Sequence, residues 1–325
     1  MLSDILPNLL IAGDFGSVAY LISEARVVRT RDQALTNVLD SLLNIEVSPA
    51  AKFAQTSREA PASVTVITSE EIRRQGFRML AEVLESVPGF FITDNHSYVS
   101  LGVRGFGPSG GDDKRVLCLM DGHTLNENFL DGVRPGTGLG LDLSFIDQVE
   151  VVRGPGSALY GSNAMLAVVN IMTKSGRRID GAEGSAELGS YSLRRGSVLL
   201  GKECTSGLDI IMSGAWSKAV SPDIYFPEWD SPLTNQGVAS GLDWDESLGL
   251  VTSVGYGDLR FLGLVTERDK GDPSAAFGST FNDPSAQSAD RRFFTEFAYE
   301  GELSPNKSVV LRGFYDGAVF DVTYP

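Results

Sequence analysis

Residues 141–174 read Leu-Asp-Leu-Ser-Phe-Ile-Asp-Gln-Val-Glu-Val-Val-Arg-Gly-Pro-Gly-Ser-Ala-Leu-Tyr-Gly-Ser-Asn-Ala-Met-Leu-Ala-Val-Val-Asn-Ile-Met-Thr-Lys. Two apolar, β-branched runs, at 149–152 and 168–173, flank a segment rich in glycine, proline and serine. Such a segment favours a turn over a helix, because Pro155 lacks an amide proton and the glycines adopt backbone angles closed to other residues. The stretch therefore predicts a strand, a tight turn and a second strand.

This segment resembles the end of the plug domain of TonB-dependent outer-membrane receptors. The family pattern has three elements, E-x-x-R-G-P, Y-G-S-x-A and V-x-N-I-x-T, which residues 150–155, 160–164 and 168–173 match in order. Shorter matches precede them, at residues 60–68, 72–74, 84–89, 103–106 and 119–126. The resemblance covers roughly residues 45–176, and the rest looks like the beginning of the family's barrel.

The composition narrows the possible partners. With 42 acidic against 27 basic residues the chain carries a net charge of −15, which repels a phosphate backbone and argues against nucleic acid as a partner. The 36 glycines suit a protein of strands and turns. Two cysteines are too few for a disulfide scaffold. Cys118 lies in an apolar run and is expected to be a small buried hydrophobe, and a bond to Cys204 is not expected.

The first 44 residues are left unassigned. Apolar residues at positions 34, 35, 38, 39, 42 and 43 follow the spacing of one helical face and predict a short amphipathic helix over 31–44. Asp4 stands where a signal peptide has basic residues, and Asp14 interrupts the apolar run 9–22. An export signal is therefore missing or unconventional. No segment approaches the ~20 apolar residues of a membrane helix.

Residues 45–59 form a separate short region, in which an extended stretch ends at Pro49 and a polar linker follows. The resemblance implies that this region holds the TonB box, which joins the sheet of the inner-membrane TonB protein as an added strand. The candidate residues are Ile45, Glu46, Val47 and Ser48. Added strands bind mainly through the backbone, so the sequence requirement is loose. An ordinary linker is the alternative.

Residues 60–176 are expected to form an α+β plug domain. Strands are predicted at 63–68, 90–93, 99–104 and 116–120, with helices at 70–75, capped by Ser69 and stopped by Gly76, and at 80–87. The resemblance implies that Arg104 and Arg153 reach carboxylates of the barrel and anchor the plug; the alternative is solvated surface charge. Their partners are expected beyond residue 325, so no ion pair with residues 177–325 is predicted.

Residues 177–325 are expected to form antiparallel transmembrane strands of a partial β-barrel. Seven strands are predicted, at 182–190, 192–202, 207–217, 246–256, 258–267, 290–301 and 307–317. Apolar residues alternate along them, and long loops at 218–245 and 268–289 contrast with tight turns at the other ends. A soluble β-sandwich is the alternative. Seven strands cannot close a barrel of about 22, and an open edge is not tolerated in lipid, so an incomplete receptor is expected.

The resemblance implies a receptor in the outer membrane of a Gram-negative bacterium. It would import a ferric siderophore or a similar bulky nutrient, such as cobalamin, haem or a saccharide. The partners would be TonB with its ExbB/ExbD motor and the membrane lipid. Neither catalysis nor a cofactor is expected, because the G-x-G-x-x-G and G-x-S-x-G matches at 105–111 lack the helix that each motif requires. A metal site is not expected either, because the sequence has no cluster of metal-ligating residues. A soluble periplasmic binding module is the competing interpretation.

Substrate contacts are expected at the outward tips of the plug and in the external loops. The candidates are Phe106, Asn126, Asn128, Phe129 and Asp131 in the plug, with the aromatic residues Tyr225 and Trp229 in a long loop. Loop packing is an equal alternative for the aromatic pair. Both histidines, His96 and His123, are expected to be structural or exposed.

Overall fold

The computed structural model describes residues 46–47, 55–56, 63–107, 114–127, 130–304 and 307–325. Contacts divide the chain into two units, residues 1–61 and 62–325. In the first unit, β1 (Glu46–Val47) pairs antiparallel with β2 (Gln55–Thr56). The predicted helix over 31–44 lies outside the described residues. No helix within the described ranges has the length and apolar character needed to span a membrane.

The plug begins the second unit and contains strands, short helices and long connections. Its elements are β3 (Ser63–Thr68), α1 (Ser69–Gln75), α2 (Leu80–Glu85), β4 (Phe90–Asp94), β5 (Val99–Val103), β6 (Val116–Met120), β7 (His123–Thr124), β8 (Ile146–Arg153), α3 (Ser157–Tyr160), β9 (Ala167–Thr173) and α4 (Gly176–Ile179). One sheet has the order β3-β8-β9-β6-β7, and only β6 and β9 run parallel. β4 and β5 form a separate hairpin.

The stretch at 141–174 folds largely as predicted. β8 and β9 are antiparallel neighbours in the plug sheet, and their facing pairs such as Val151 and Val169 are fully buried. The prediction of a turn without helix was wrong, because the single helical turn α3 lies between Gly156 and Gly161. The backbone amide of Gly156 donates to the carbonyl of Ala164 at 2.7 Å and closes the connection at its base.

The first helix begins one residue earlier than predicted. Thr68, and not Ser69, is its N-cap, because the Glu71 amide donates to Thr68 Oγ1 at 3.3 Å while the Glu71 carboxylate accepts from the Thr68 amide. This reciprocal pair is a capping box, in which a Glu or Gln three positions after the cap reaches back to the backbone amide of the cap residue. Gly76, at φ 71°, ends the helix as expected.

The remainder of the chain forms a single antiparallel sheet, here called the wall. Its seven strands are β10 (Gly181–Leu188), β11 (Arg194–Glu203), β12 (Leu208–Val220), β15 (Trp244–Tyr256), β16 (Leu259–Gly271), β17 (Gln287–Ser304) and β18 (Lys307–Thr323), paired in that order. The small hairpin of β13 (Ile224–Tyr225) and β14 (Val238–Ala239) lies in the loop between β12 and β15. The predicted seven strands are confirmed, and the last five are longer than predicted.

The two faces of the wall differ in what they contact. In β15, Leu248 and Leu250 are exposed on the outer face, whereas Val251 is 2% exposed on the inner face. The inner face joins the plug in one hydrophobic core, in which Phe294 and Leu262 pack with plug residues such as Phe145. Outward apolar residues and an inward face packed on a plug are typical of a membrane barrel wall. Within the described ranges no second sheet covers the outer face, which contradicts the sandwich alternative.

Candidate functional site

The plug contacts the wall at one end through a tight turn. β6 and β7 are joined by Asp121 and Gly122, both with positive φ (47° and 86°), as a two-residue hairpin turn requires. The Asp121 carboxylate accepts hydrogen bonds from the Thr173 amide at 3.0 Å and from Thr173 Oγ1 at 2.6 Å, and it pairs with Arg260 of the wall. Arg312 donates to the Asp121 carbonyl at 3.2 Å. Wall arginines therefore hold this turn.

His123 follows the turn and is 3% exposed. Its Nδ1 lies 3.0 Å from Glu296 Oε2 and its Nε2 lies 3.0 Å from Asp316 Oδ1. Its ring stacks on Phe294 with the two centres 4.0 Å apart. The expectation that this histidine is structural agrees with its burial, although the two carboxylate partners were not anticipated.

A second contact lies at the end of the plug nearest the long loops, around Tyr98. The Tyr98 hydroxyl donates to Asp290 Oδ2 of β17 at 3.0 Å, and the guanidinium of Arg134 lies 3.8 Å from the centre of the Tyr98 ring. Burial, reinforced by the negative charge of Asp290, raises the pKa of the Tyr98 phenol. Arg268 of β16 donates to the Ser97 carbonyl at 2.9 Å. Here too, wall side chains bind the backbone of the plug.

His96 connects the plug to the base of a long loop. Its Nδ1 lies 3.2 Å from Asp243 Oδ2, just before β15, and Asp243 also pairs with the buried Lys270. Burial by itself would raise the pKa of Asp243, but hydrogen bonds from Lys270, Ser221 and His96 outweigh it and hold that pKa below its usual range. The pair of Asp243 with Lys270 is therefore ionic. Through Asp243, the plug residue His96 is connected to the base of the loop and to β16.

The aromatic residues of the long loops pack on one another. Phe281 of the loop between β16 and β17 stacks on Trp229 at 5.3 Å and meets Phe226 edge-on at 5.8 Å. Phe226 in turn meets the His96 ring at 6.3 Å. Tyr225 remains 54% exposed, and its hydroxyl donates to Asp230 at 3.0 Å. Tyr225 thus offers an open ring, whereas one face of Trp229 is covered by Phe281.

The plug candidates occupy different environments. Phe106 is 61% exposed, and Asp131 is also exposed, at φ 57°. Asn126 is 5% exposed: its Oδ1 accepts from the Cys118 amide at 2.8 Å, and its Nδ2 donates to the Val116 and Asp131 carbonyls. Its amide therefore braces the plug, and we leave Asn126 out of the proposed contacts. Asn128 and Phe129 lie outside the described residues.

Arg104 and Arg153 stay within the plug. Arg104 is exposed at φ 53°, and Arg153 donates to Ser63 Oγ at 2.7 Å and to the Pro88 carbonyl at 3.3 Å. Among the described residues, neither forms an ion pair with a carboxylate of residues 177–325. Their anchoring role stays a prediction.

The polar contacts between the plug and the wall use residues that the motifs did not single out. Charged residues recur at inward positions of the wall, where Arg268, Asp290 and Glu296 face the plug. Along a strand, charged residues that alternate with apolar residues lie on the opposite face of the sheet, and this alternation can be seen in the sequence. No group of histidine, cysteine, aspartate and glutamate within the described ranges could hold a metal ion.

A cavity of about 480 Å³ lies between the plug and the first wall strands. Its lining includes Pro135 and Leu139 of the plug and Tyr191, Arg195, Ala215 and Trp216 of the wall.

Comparison with known proteins agrees with this architecture. Residues 56–168 match the family model described as the TonB-dependent receptor plug domain. This chain carries the plug of a TonB-dependent receptor. Over 186 residues the receptor is 31% identical to the vitamin B12 transporter BtuB of Vibrio vulnificus, covering 56% of this chain and 29% of that protein. Over 161 residues it is 29% identical to the catecholate siderophore receptor Fiu of Escherichia coli K12, covering 49% of this chain and 20% of Fiu.

Solved structures extend the likeness to the wall. The siderophore receptor PiuA of Acinetobacter baumannii superposes with a TM-score of 0.62 at 15% identity, covering 86% of this chain and 40% of PiuA. The closed form of Fiu gives the same TM-score at 19% identity, again covering 86% of this chain and 40% of that structure. The chain thus spans less than a third of the two curated relatives and two fifths of these structures. The receptor is an outer-membrane protein of a Gram-negative bacterium.

Proposed function

We propose that the receptor imports a ferric siderophore, or a nutrient of similar bulk, with energy supplied through TonB. The observation that carries the proposal is the family plug fixed by ion pairs against the inner face of a strand wall. Such a plug blocks passage until it is displaced, and external energy can shift it between a closed and an open state. Two of the relatives compared above are named as a vitamin B12 transporter and a catecholate siderophore receptor, which supports this choice of solutes. We propose Phe106, Asp131 and Tyr225 as substrate contacts, because their side chains are exposed.

Uptake tests the proposal directly. The complete reading frame would be expressed in cells that lack their own iron and cobalamin receptors. Uptake of radioactive iron bound to a catecholate chelator would be measured, and uptake of cyanocobalamin would be measured separately for comparison. Iron uptake that disappears in a strain lacking TonB is expected. Equal uptake with and without TonB, or uptake of neither compound, would contradict the proposal.

We further propose that residues 45–48 bind TonB as an added strand. The extended pairing of Glu46–Val47 with Gln55–Thr56 supports this proposal, because it puts the segment in the conformation that strand addition uses. Val47→Pro removes an amide donor and should abolish TonB binding, whereas Val47→Thr keeps the β-branched backbone preference and should retain it. TonB affinity measured on both variants would reject the site if proline were tolerated.

Cell fractionation provides an independent test. The receptor should be recovered from the outer-membrane fraction and released only with detergent. A monodisperse chain in the periplasmic fraction would contradict the proposed function.

A further inference from the structure

His123 lies in a cage built by two facing residue pairs of the wall. In the register of β17 and β18, Phe294 faces Asp316 and Glu296 faces Phe314. The Phe294 ring stacks on the imidazole, and the Phe314 ring meets it edge-on with centres 5.6 Å apart. Each ring nitrogen contacts one carboxylate: Nδ1 lies 3.0 Å from Glu296 Oε2, and Nε2 lies 3.0 Å from Asp316 Oδ1. The cage therefore alternates aromatic rings with acids around a buried side chain.

The hydrogen bonds of the ring indicate its charge. An ionised carboxylate can only accept hydrogen bonds, and a neutral imidazole has one donor nitrogen and one acceptor nitrogen. Two ionised partners can therefore both be satisfied only if the ring carries two protons. A cation above an aromatic face is stabilised further by the ring's quadrupole, most strongly when water is excluded. Both features favour imidazolium in this cage.

The carboxylates nearest the ring outnumber the arginines that contact them. Arg312 Nη1 lies 3.3 Å from Glu296 Oε1 and its Nη2 lies 2.7 Å from Glu300 Oε1, while Arg260 pairs with Asp121. Arg292 donates to the carbonyls of Leu125 and Asn126 and lies in the field of Asp316 and of Glu127, which itself pairs with Arg134. Four carboxylates are thus gathered here, together with three arginines: Asp121, Glu296, Glu300 and Asp316 with Arg260, Arg292 and Arg312. A protonated His123 supplies the fourth cation.

We propose that His123 holds the plug on the wall as an imidazolium, which makes this end of the plug a proton-dependent latch. When the ring loses its proton, one carboxylate loses its donor and the buried cluster gains a net negative charge. An uncompensated buried charge is strongly destabilising. The turn at residues 121–122 is then held by fewer charged contacts. This inference concerns the seating of the plug and stands independently of which solute the receptor imports.

The protonation state can be read from the chain itself, which contains two histidines. The chain would be labelled with ¹⁵N-histidine, and His96→Gln would leave the ring of His123 as the sole signal. A free imidazole, which loses its proton near pH ~6.5, is roughly nine-tenths neutral at pH ~7.5. We expect two ring N–H signals from His123 at that pH. A ring with a single proton at pH ~7.5 would overturn the proposal.

Removing the charge of one carboxylate tests whether these acids keep the His123 ring protonated. Glu296→Gln keeps the shape of the partner and removes its charge, so the proton concentration at which His123 is half-protonated should rise by about tenfold or more. Lys218→Gln changes an exposed ion pair on the wall's outer face and serves as the control. An unchanged titration in Glu296→Gln would contradict the proposal.

The latch also predicts a pH profile of stability. Because the latched ring is charged, its contribution to stability should be complete while both ring nitrogens of His123 are protonated and should be lost as rising pH removes one of the two protons. His123→Gln should flatten the fall in melting temperature between pH ~6 and ~9, and His123→Lys should restore the low-pH stability and extend it to higher pH. An unaltered profile in His123→Gln, or a lysine variant no more stable than the glutamine one, would rule out the latch.

Discussion

A Cβ placed on Gly249 of the wall would lie 1.8 Å from the carbonyl oxygen of Gly140 in the plug. The two backbones are therefore in direct contact, without a side chain between them. Gly140 has φ 61° and would itself meet Thr266 at 2.6 Å if it carried a Cβ. This contact fixes how deeply the plug sits against β15 and β16, in addition to the ion pairs at either end.

Gly249→Ala should force the plug away from the wall. The cost is expected at about 1–3 kcal/mol of unfolding free energy, the usual range for overpacking a filled site. Gly255→Ala in the same strand is the matched control, because its added methyl group would lie 4.0 Å from its nearest neighbour, the Asp209 Cβ. Thermal unfolding in detergent compares the two, and equal melting temperatures would refute the close contact.

Asp243→Asn should leave the buried Lys270 without its counter-ion. Removing one partner of a buried ion pair lowers the free energy of unfolding by about 3–5 kcal/mol. Because the pKa of Asp243 is depressed in the folded protein, its contribution is complete above the unfolded pKa of about 3.9 and is lost as pH falls below that value. The variant should therefore lose stability at neutral pH and show a weaker acid dependence. Glu246→Gln, which opens an exposed pair with Lys218, should cost less than about 1 kcal/mol. A larger loss for Glu246→Gln than for Asp243→Asn in chemical unfolding would be inconsistent with this assignment.

Thr68→Ala should destabilise the plug by about 1 kcal/mol, because the capping box of α1 loses its side-chain acceptor. Ser69→Ala should change the unfolding free energy by less than about 0.5 kcal/mol, since Ser69 Oγ accepts an exposed hydrogen bond from Arg178. Denaturant unfolding of both variants distinguishes the two capping residues. The reverse order of effects would restore Ser69 as the cap.

The two thiols should react very differently. Burial raises the pKa of Cys118 to about 12, and the residue is 0% exposed, so it should resist alkylation in the folded chain. Cys204 is partly exposed in the turn after β11 and should be modified readily. Alkylation followed by mass spectrometry should find one modified site in the native chain and two after denaturation. Cys204→Ser should leave the native chain unmodified, and rapid labelling of that variant would argue against the buried position of Cys118.

Local patterns predicted the elements well. The apolar run of β6 was predicted with its observed bounds, and the alternation along the wall located its seven strands, because both signals arise within a few residues. Ser69 was misassigned as the cap because Thr68 and Ser69 are adjacent and both can cap a helix. The capping box formed with Glu71 distinguishes them.

The plug–wall contacts could not be predicted in the same way. His123 meets Glu296 across 173 residues of sequence, and that meeting depends on where the plug sits against the wall. The motifs directed attention to Arg104 and Arg153, whose described contacts lie within the plug. The arginines that reach across, such as Arg260 and Arg312, have no local signature beyond their inward position on a strand. Asn126, in turn, is a polar residue whose burial only the folded plug reveals.

The central claim is that the outer face of the wall meets lipid while its inner face meets the plug. Leu248 on the wall and Tyr225 in the long loop have nearly equal exposure, 53% and 54%. Each would be replaced by cysteine, in a chain lacking Cys118 and Cys204, and spin-labelled in outer-membrane bilayers. We predict that dissolved oxygen relaxes the label at 248 and a water-soluble nickel chelate does not, whereas the chelate relaxes the label at 225. Equal relaxation of both labels by the nickel chelate would contradict the claim.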